Sequence, residues 1–230
     1  MEQATRSYFD KRGEILVKNL QKRHFEAYYC ATKEEALKQV LSLMPEGSTV
    51  GWGGAVSAAQ VGVQAAVHAG NYTVIDRDQF SDPAEKNRCM RACFNADFFI
   101  TGANALSIDG QMVNIDGNGN RVGMIVYGPK NIIVVAGMNK VCPSVEDAVK
   151  RARTIAAPMN QQRFGLPNPC NCTGVCGNCL NETSICNQIL HIPGGLAVSG
   201  NIELHQNPSS SPTSTNLIRP AGLQFLVIKI

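Results

Sequence analysis

Long apolar runs are missing from these 230 residues. No stretch approaches the ~18 consecutive apolar residues that a membrane-crossing helix needs, so no membrane insertion is expected. Blocks of like charge are missing too. The 21 basic and 18 acidic residues, net +3, are scattered, and aromatics make up 6% with one Trp. Without a basic patch or a stacking platform, nucleic acid is not an expected partner. The opening MEQATRSYFDKRGEIL carries acids and no apolar h-region, which argues against a secretory leader. His24, His68, His191 and His205 are scattered and have no motif partners, so no histidine-based triad can be built. Neither a G-x-G-x-x-G fingerprint nor a Walker loop occurs, and a dinucleotide or ATP assignment fails.

Cysteine, by contrast, is plentiful. There are nine, an odd number, and five fall within seventeen residues, Cys170 to Cys186. That pattern points to a reducing, cytoplasmic setting with a metal or redox site rather than to a secreted disulfide framework. Cys170, Cys176, Cys179 and Cys186 are spaced C-x5-C-x2-C-x6-C in a loop rich in Gly, Asn and Pro, with Cys172 extra. Four thiolates suit tetrahedral zinc or an iron–sulfur cluster. The alternative is a set of free thiols. Cys89 and Cys93, four apart on a predicted helix, read as buried packing residues rather than a metal pair.

Strands and helices alternate through the first 157 residues. Ala4 to Gln21 has apolar residues at helical spacing. FEAYYC (25–30) reads as a strand, and Thr32 with Glu35 forms a capping box opening a helix to Met44. Ser48 to Trp52 reads as a strand that turns through Gly51, Gly53 and Gly54 into a helix, capped by Ser57, to about Ala69. YTVID is the next strand. Asp82-Pro83 starts a helix to about Phe94, and ADFFITG is a buried strand. Asn104 to Val113 reads as a hairpin turning at Asp109-Gly110. Hairpins across 104–126 would make the sheet mixed at one side. NIIVVAG is apolar and mostly β-branched, a buried strand. Ser144 with Asp147 caps a helix that Pro158 would stop, with Arg151, Arg153 and Arg163 mostly on a solvated face or its flank. NPSSSPTST (207–215) reads as a low-complexity linker, and the final LQFLVIKI as one more strand joining the sheet. The alternation argues for an α/β fold whose sheet is mainly parallel, with helices on both faces.

The polar residues concentrate between Asn104 and Lys140, in NALSIDGQMVNIDGNGNRVGMIVYGPKNIIVVAGMNK. Asn139 and Lys140 follow a strand end, where ligands sit in open α/β sheets. Asp116 offers a carboxylate, while Lys140 and Arg121 offer charge for a carboxylate or phosphate. Asn104, Asn114, Asn118 and Asn139 offer hydrogen bonds to a ligand. The competing reading has two or three of the asparagines building turns through their own backbone bonds. Gly53 and Gly54 let backbone N–H groups approach a small anion.

GWGG at 51–54, TGANALSIDGQMVNIDGNGNRV, GPKNIIVVAGMNK, AAPMN and the PC…GVCGNC…ICN segment, in this order from about residue 5 to 190, resemble the LUD domain family. That family is associated with bacterial lactate utilisation. The resemblance implies a NagB/RpiA/CoA-transferase-like α/β fold, often found beside iron–sulfur redox proteins. It divides the chain into an α/β domain (1–165), a cysteine-rich metal-binding appendage (166–190), and an extended loop with a final strand (191–230). Two departures stand out. The family's Gly-Gly-Ser-x-Thr turn, followed by a Glu one helical turn on, is replaced by Ala55, Ser57 and Gln60. A mechanism with that Glu as nucleophile or base cannot run here. About thirty loop residues also precede the last strand.

Two functions are therefore in view. One is binding of a small organic acid or phosphorylated metabolite, with Asp116 and Lys140 as catalytic groups. Gly53, Gly54, Asn104, Asn114, Asn118, Arg121 and Asn139 would then contact the substrate. The other is an interaction or electron-transfer module built on the zinc or iron–sulfur centre.

Overall fold

In a computed structural model, residues 2–195 and 223–228 are described. The 207–215 linker and most of the 191–230 region lie outside them.

The first half follows the expected alternation. Helix α1 (Glu2–Lys22) leads into strand β1 (Glu26–Cys30), then α2 (Lys33–Leu43) and β2 (Thr49–Gly53). The Thr32 side chain accepts the Glu35 N–H, and the Glu35 carboxylate accepts the Ala31 N–H at 2.9 Å, so the N-terminus of α2 is satisfied locally. The helix expected from Ser57 to Ala69 is two. Gly62, at φ 90, separates α3 (Val56–Val61) from α4 (Val63–Ala69). The N-cap is Ala55 rather than Ser57 and makes no side-chain bond. Strand β3 (Thr73–Ile75), helix α5 (Pro83–Ala92) and strand β4 (Phe98–Thr101) come next.

The second half departs further. β5 (Ala105–Ser107) and β6 (Met112–Asp116) form the expected hairpin. A second hairpin does not follow, because VGMIVY lies in helix α6 (Asn120–Tyr127) and Gly128 caps its end. Its apolar residues suit either period, and Asp116 decides the matter by accepting two N–H groups of the first turn. After β7 (Asn131–Gly137) and β8 (Val141–Cys142), α7 (Val145–Arg151) starts at Ser144 as read. Pro158 does not stop it. The helix widens into a π turn over Ala152–Ala156 and continues as α8 (Ala157–Phe164). The Ala157 N–H reaches back five residues to Ala152 O, and this wider turn makes room for a proline that lacks an N–H. A short α9 (Pro169–Thr173), β9 (Gln188–Ile192) and β10 (Leu223–Ile228) complete the described chain.

The strands form two sheets. The larger runs β1-β10-β7-β4-β2-β3 and is parallel throughout. The antiparallel pairs belong instead to a separate sheet, β8-β5-β6-β9, so the main sheet is not itself mixed at one side. The reason is burial: β7 and β10 alternate between two apolar layers. Val134, Ala136, Phe225 and Val227 face Leu16 and Leu20 of α1 and Met124 of α6. Ile133, Val135, Leu226 and Ile228 face Val40 of α2 and Ala58 of α3. A strand buried on both faces is hydrophobic throughout, as NIIVVAG and LQFLVIKI are. β10, last in sequence, lies between β1 and β7. The fold is a mixed α/β architecture with a mainly parallel sheet covered by helices on both faces.

Candidate functional site

Parallel strands end on one edge, so the exits of β2, β4 and β7 bring three distant segments together. At the exit of β2, Gly53 is buried against Phe99, where an added Cβ would come within 3.0 Å of the ring. Gly54 is exposed and adopts φ +61. The Arg121 side chain lies over it, and a Cβ there would meet Arg121 Cδ and Nη1 at 2.9 Å. Glycine is favoured at 54 for both reasons, the left-handed backbone and the arginine side chain above it, which an added Cβ would displace.

Arg121 is 9% exposed. Its Nη2 donates to Asn104 Oδ1 at 2.8 Å and to Ile115 O at 2.6 Å, both uncharged acceptors. Its Nε–H has no partner among the described residues. Burial lowers the guanidinium pKa, with the negative charge of Asp116 pulling the other way. Asp116 itself faces the backbone: one carboxylate oxygen accepts the Arg121 and Val122 N–H groups at 2.9 and 3.2 Å. It holds the first turn of α6 where a capping side chain would.

Asn104 and Asn114 lock together. The Asn104 N–H donates to Asn114 Oδ1 at 3.0 Å, and Asn104 Oδ1 also takes the Ile115 N–H at 2.8 Å. Asn114 is fully buried, and its Nδ2 donor has no acceptor among the described residues. Two buried donors in one cluster therefore lack partners, which is rare in folded proteins.

Two more cations belong here. Lys140, in the turn after β7, donates from Nζ to Ser57 Oγ at 2.9 Å. Burial, then the charge of Arg151, lowers its pKa. Arg151 was expected on a solvated face. It is instead half-buried, donating to the Asn104 carbonyl and to Asn139 O. Its place was readable: it falls three residues after Ala148, on that helix's buried side. Ser57 gave no such signal, since its partner is 83 residues away. Asn118 and Asn139 are exposed, and Arg163 bonds Asn160 on the surface.

Among the described residues, Arg121, Lys140 and Arg151 form no ion pair. The arrangement is thus three partly or fully buried cations, Arg121 and Arg151 linked through Asn104 and Lys140 bonded to Ser57, with Asp116 the nearby acid. Two hollows lie elsewhere. One of about 380 Å³ is lined by Asp76, Phe80 and Cys89, and one of about 470 Å³ by Met159, Gln162 and Cys172.

The cysteine segment wraps beside α8. Cys170, Cys176, Cys179 and Cys186 are partly buried and Cys172 is exposed. Burial raises the Cys186 thiol, and Cys170, Cys176 and Cys179 push it the same way. Burial raises Cys170 also, and Cys179 and Cys176 add to it. Among the described residues, no three His, Cys, Asp or Glu side chains are grouped closely enough to hold an ion. Of the other pair, Cys93 is buried against the β2 backbone, and its thiol is pushed up to about 11.

Comparison with known proteins adds three findings. A model of the LUD domain family matches residues 13–203. No curated protein matches the chain significantly. Among solved structures, a DUF162 family protein from Deinococcus radiodurans is similar over 97% of this chain and 98% of its own, at 14% identity and TM-score 0.46. Ribose 5-phosphate isomerase A from Methanocaldococcus jannaschii and from Neisseria gonorrhoeae each align over 49% of this chain and 55% of their own, at 16% identity and TM-score 0.32.

Proposed function

This chain belongs to the LUD domain family, and from that premise we propose that it binds a small anionic metabolite, an organic acid or a phosphorylated compound, in the course of lactate or related organic-acid utilisation. The observation that carries the reading is the Arg121 cluster. A buried guanidinium that hydrogen-bonds only neutral acceptors, with its Nε–H and the Asn114 amide unpartnered among the described residues, forms no ion pair there, and Asp116 offsets its charge without contacting it in a salt bridge. Burying a charge without a partner is costly, and a bound carboxylate or phosphate would offset that cost. Gly54 leaves room for the arginine, Lys140 and Arg151 add positive charge, and the Asn139 carbonyl holds Arg151. The support comes from this cluster, not from the helix after the glycine turn, because α3 has six residues and little dipole. Asp116 serves as the brace of α6 and Lys140 as the proton-handling group.

Titration calorimetry with lactate and with inorganic phosphate tests the reading. At least one should bind the wild type, and Arg121→Met should abolish the heat. Lys140→Ala should weaken binding by about 1–3 kcal/mol, the worth of a charged hydrogen bond. Equal binding by Arg121→Met refutes the site.

A second reading rests on the four partly buried cysteines carried by one short segment beside α8. Cys170, Cys176, Cys179 and Cys186 would hold one zinc ion or iron–sulfur cluster, making the chain an interaction or electron-transfer module for iron–sulfur redox partners. The donor chemistry is that of a thiolate site, four thiols in one segment with Cys172 outside, and their side chains would have to draw together to close on one centre. A bound metal would supply either a staple for a segment with few apolar side chains or an electron-carrying centre.

A further inference from the structure

Lys140 and Ser57 form a pair in this cluster with the makings of a nucleophile and its base. Ser57 lies in the first turn of α3, 2% exposed, three residues after the Gly54 that Arg121 covers. Lys140 comes from the far side of β4, and Nζ and Oγ are 2.9 Å apart. The distance serves in either direction: an ammonium donates to Oγ, and a free amine accepts from the hydroxyl. The Ser57 contact is the one hydrogen bond of the Lys140 amine among the described residues. The charge acting on Lys140 is the Arg151 guanidinium from α7. Two residues on, Cys142 in turn feels Arg151, Asp147 and Arg12. No carboxylate among these described residues forms an ion pair with Lys140 that would hold it protonated. Burial and Arg151 both favour the free amine. Hydrogen-bond reach between nucleophile and base, with a second cation activating the lysine, is the signature of covalent catalysis.

Resting on the anion site above, we propose that Ser57 and Lys140 catalyse acyl transfer to water from a small ester or thioester of an anionic organic acid. Lys140 takes the hydroxyl proton as Ser57 Oγ bonds to the acyl carbon. The bond to the leaving alcohol or thiol breaks, and the proton passes to it. Water then adds to the acyl-serine carbon, Lys140 takes a proton from the water, and Ser57 Oγ leaves with that proton. Ester and water become acid and alcohol or thiol, and nothing is oxidised or reduced. The low exposure of Ser57 limits the acyl group to a small one.

The test uses the full chain and p-nitrophenyl acetate, with peptide mapping of the acetylated residue. Acetyl should appear on Ser57, and none at that peptide in Ser57→Ala. Lys140→Arg keeps the charge and a donor but cannot act as a base, so acylation of Ser57 should slow by about 10²–10⁴-fold. The wild-type rate should rise with pH through a midpoint below the ordinary lysine value of 10.5, and that midpoint should vanish in Lys140→Arg. Acetyl on Lys140 instead, an unmodified Ser57 in folded protein, or undiminished acylation in Lys140→Arg overturns the proposal. Lactate and phosphate titrations on the same samples keep the two readings apart. Anion binding that persists without Ser57 acylation overturns acyl transfer and leaves the anion site standing.

Discussion

Replacing Gly54 by alanine tests the central cluster through one added carbon. The substitution has two effects. A non-glycine residue at φ +61 costs about 1–2 kcal/mol in backbone strain. The new Cβ would also stand 2.9 Å from Arg121 Cδ and Nη1, closer than real Cβ contacts allow. Arg121 must then shift, and its bonds to Asn104 Oδ1 and Ile115 O are stretched or lost. Each hydrogen bond from a charged group is worth about 1.5–3 kcal/mol. Partial loss of one places the whole effect at roughly 2–4 kcal/mol. Gly165→Ala is the matched control, since Gly165 has φ +61 and nothing within 4 Å of the added Cβ. It should show the backbone strain alone. Urea unfolding of both variants measures the difference, which should be about 1–2 kcal/mol. Titration with the bound anion should show weakened affinity in Gly54→Ala and none of this in Gly165→Ala. Equal destabilisation of the two, or anion affinity untouched in Gly54→Ala, would refute the view that Arg121 is held in place over Gly54.

Three further outcomes are expected. Phe225→Ala should destabilise by about 3–5 kcal/mol, because Phe225 is fully buried and packs edge-to-face on Phe25 at 4.8 Å; a loss under 1 kcal/mol by denaturant titration would contradict a central β10. Lys140→Met should raise stability near pH 7, with the gain shrinking as pH approaches 10.5. The folded pKa lies below the unfolded one, so between them the unfolded chain binds the extra proton, and wild-type stability rises with pH across that window. A gap between the two proteins that is flat with pH would contradict it. Anaerobically purified protein should carry near-stoichiometric zinc, or iron with acid-labile sulfide. Cys176→Ser should lose it, Cys172→Ser should keep it, and chelation should expose the 166–190 segment to protease before the core unfolds. Four free thiols without metal would dismiss the centre.

Local signals carried most of the element assignments. Thr32, Asp82 and Ser144 open helices as their side chains dictate, each accepting the N–H three residues on. The errors came where two readings share one local pattern. VGMIVYG suits strand or helix, and only the Asp116 carboxylate at its start selects the helix. Pro158 normally ends a helix, but a π turn absorbs it. At the site, the asparagines and Arg121 were visible as a polar concentration, yet their roles were not. Asn104 and Asn114 bond each other and the backbone, a structural role that leaves orphan donors behind.

The sequence by itself determined the alternation of strands and helices, the apolar strands buried on both faces, the caps, and the polar residues assigned to the cluster between 104 and 140. Those properties rest on side-chain chemistry and on contacts a few residues long. Only the tertiary structure decided that the last strand lies between β1 and β7, that the hairpin belongs to a second sheet, and that Lys140 meets Ser57. Each joins segments that chain order keeps apart, Glu26 with Gln224 and Ser57 with Lys140. Periodicity reports which face of an element is buried, but not which distant face covers it.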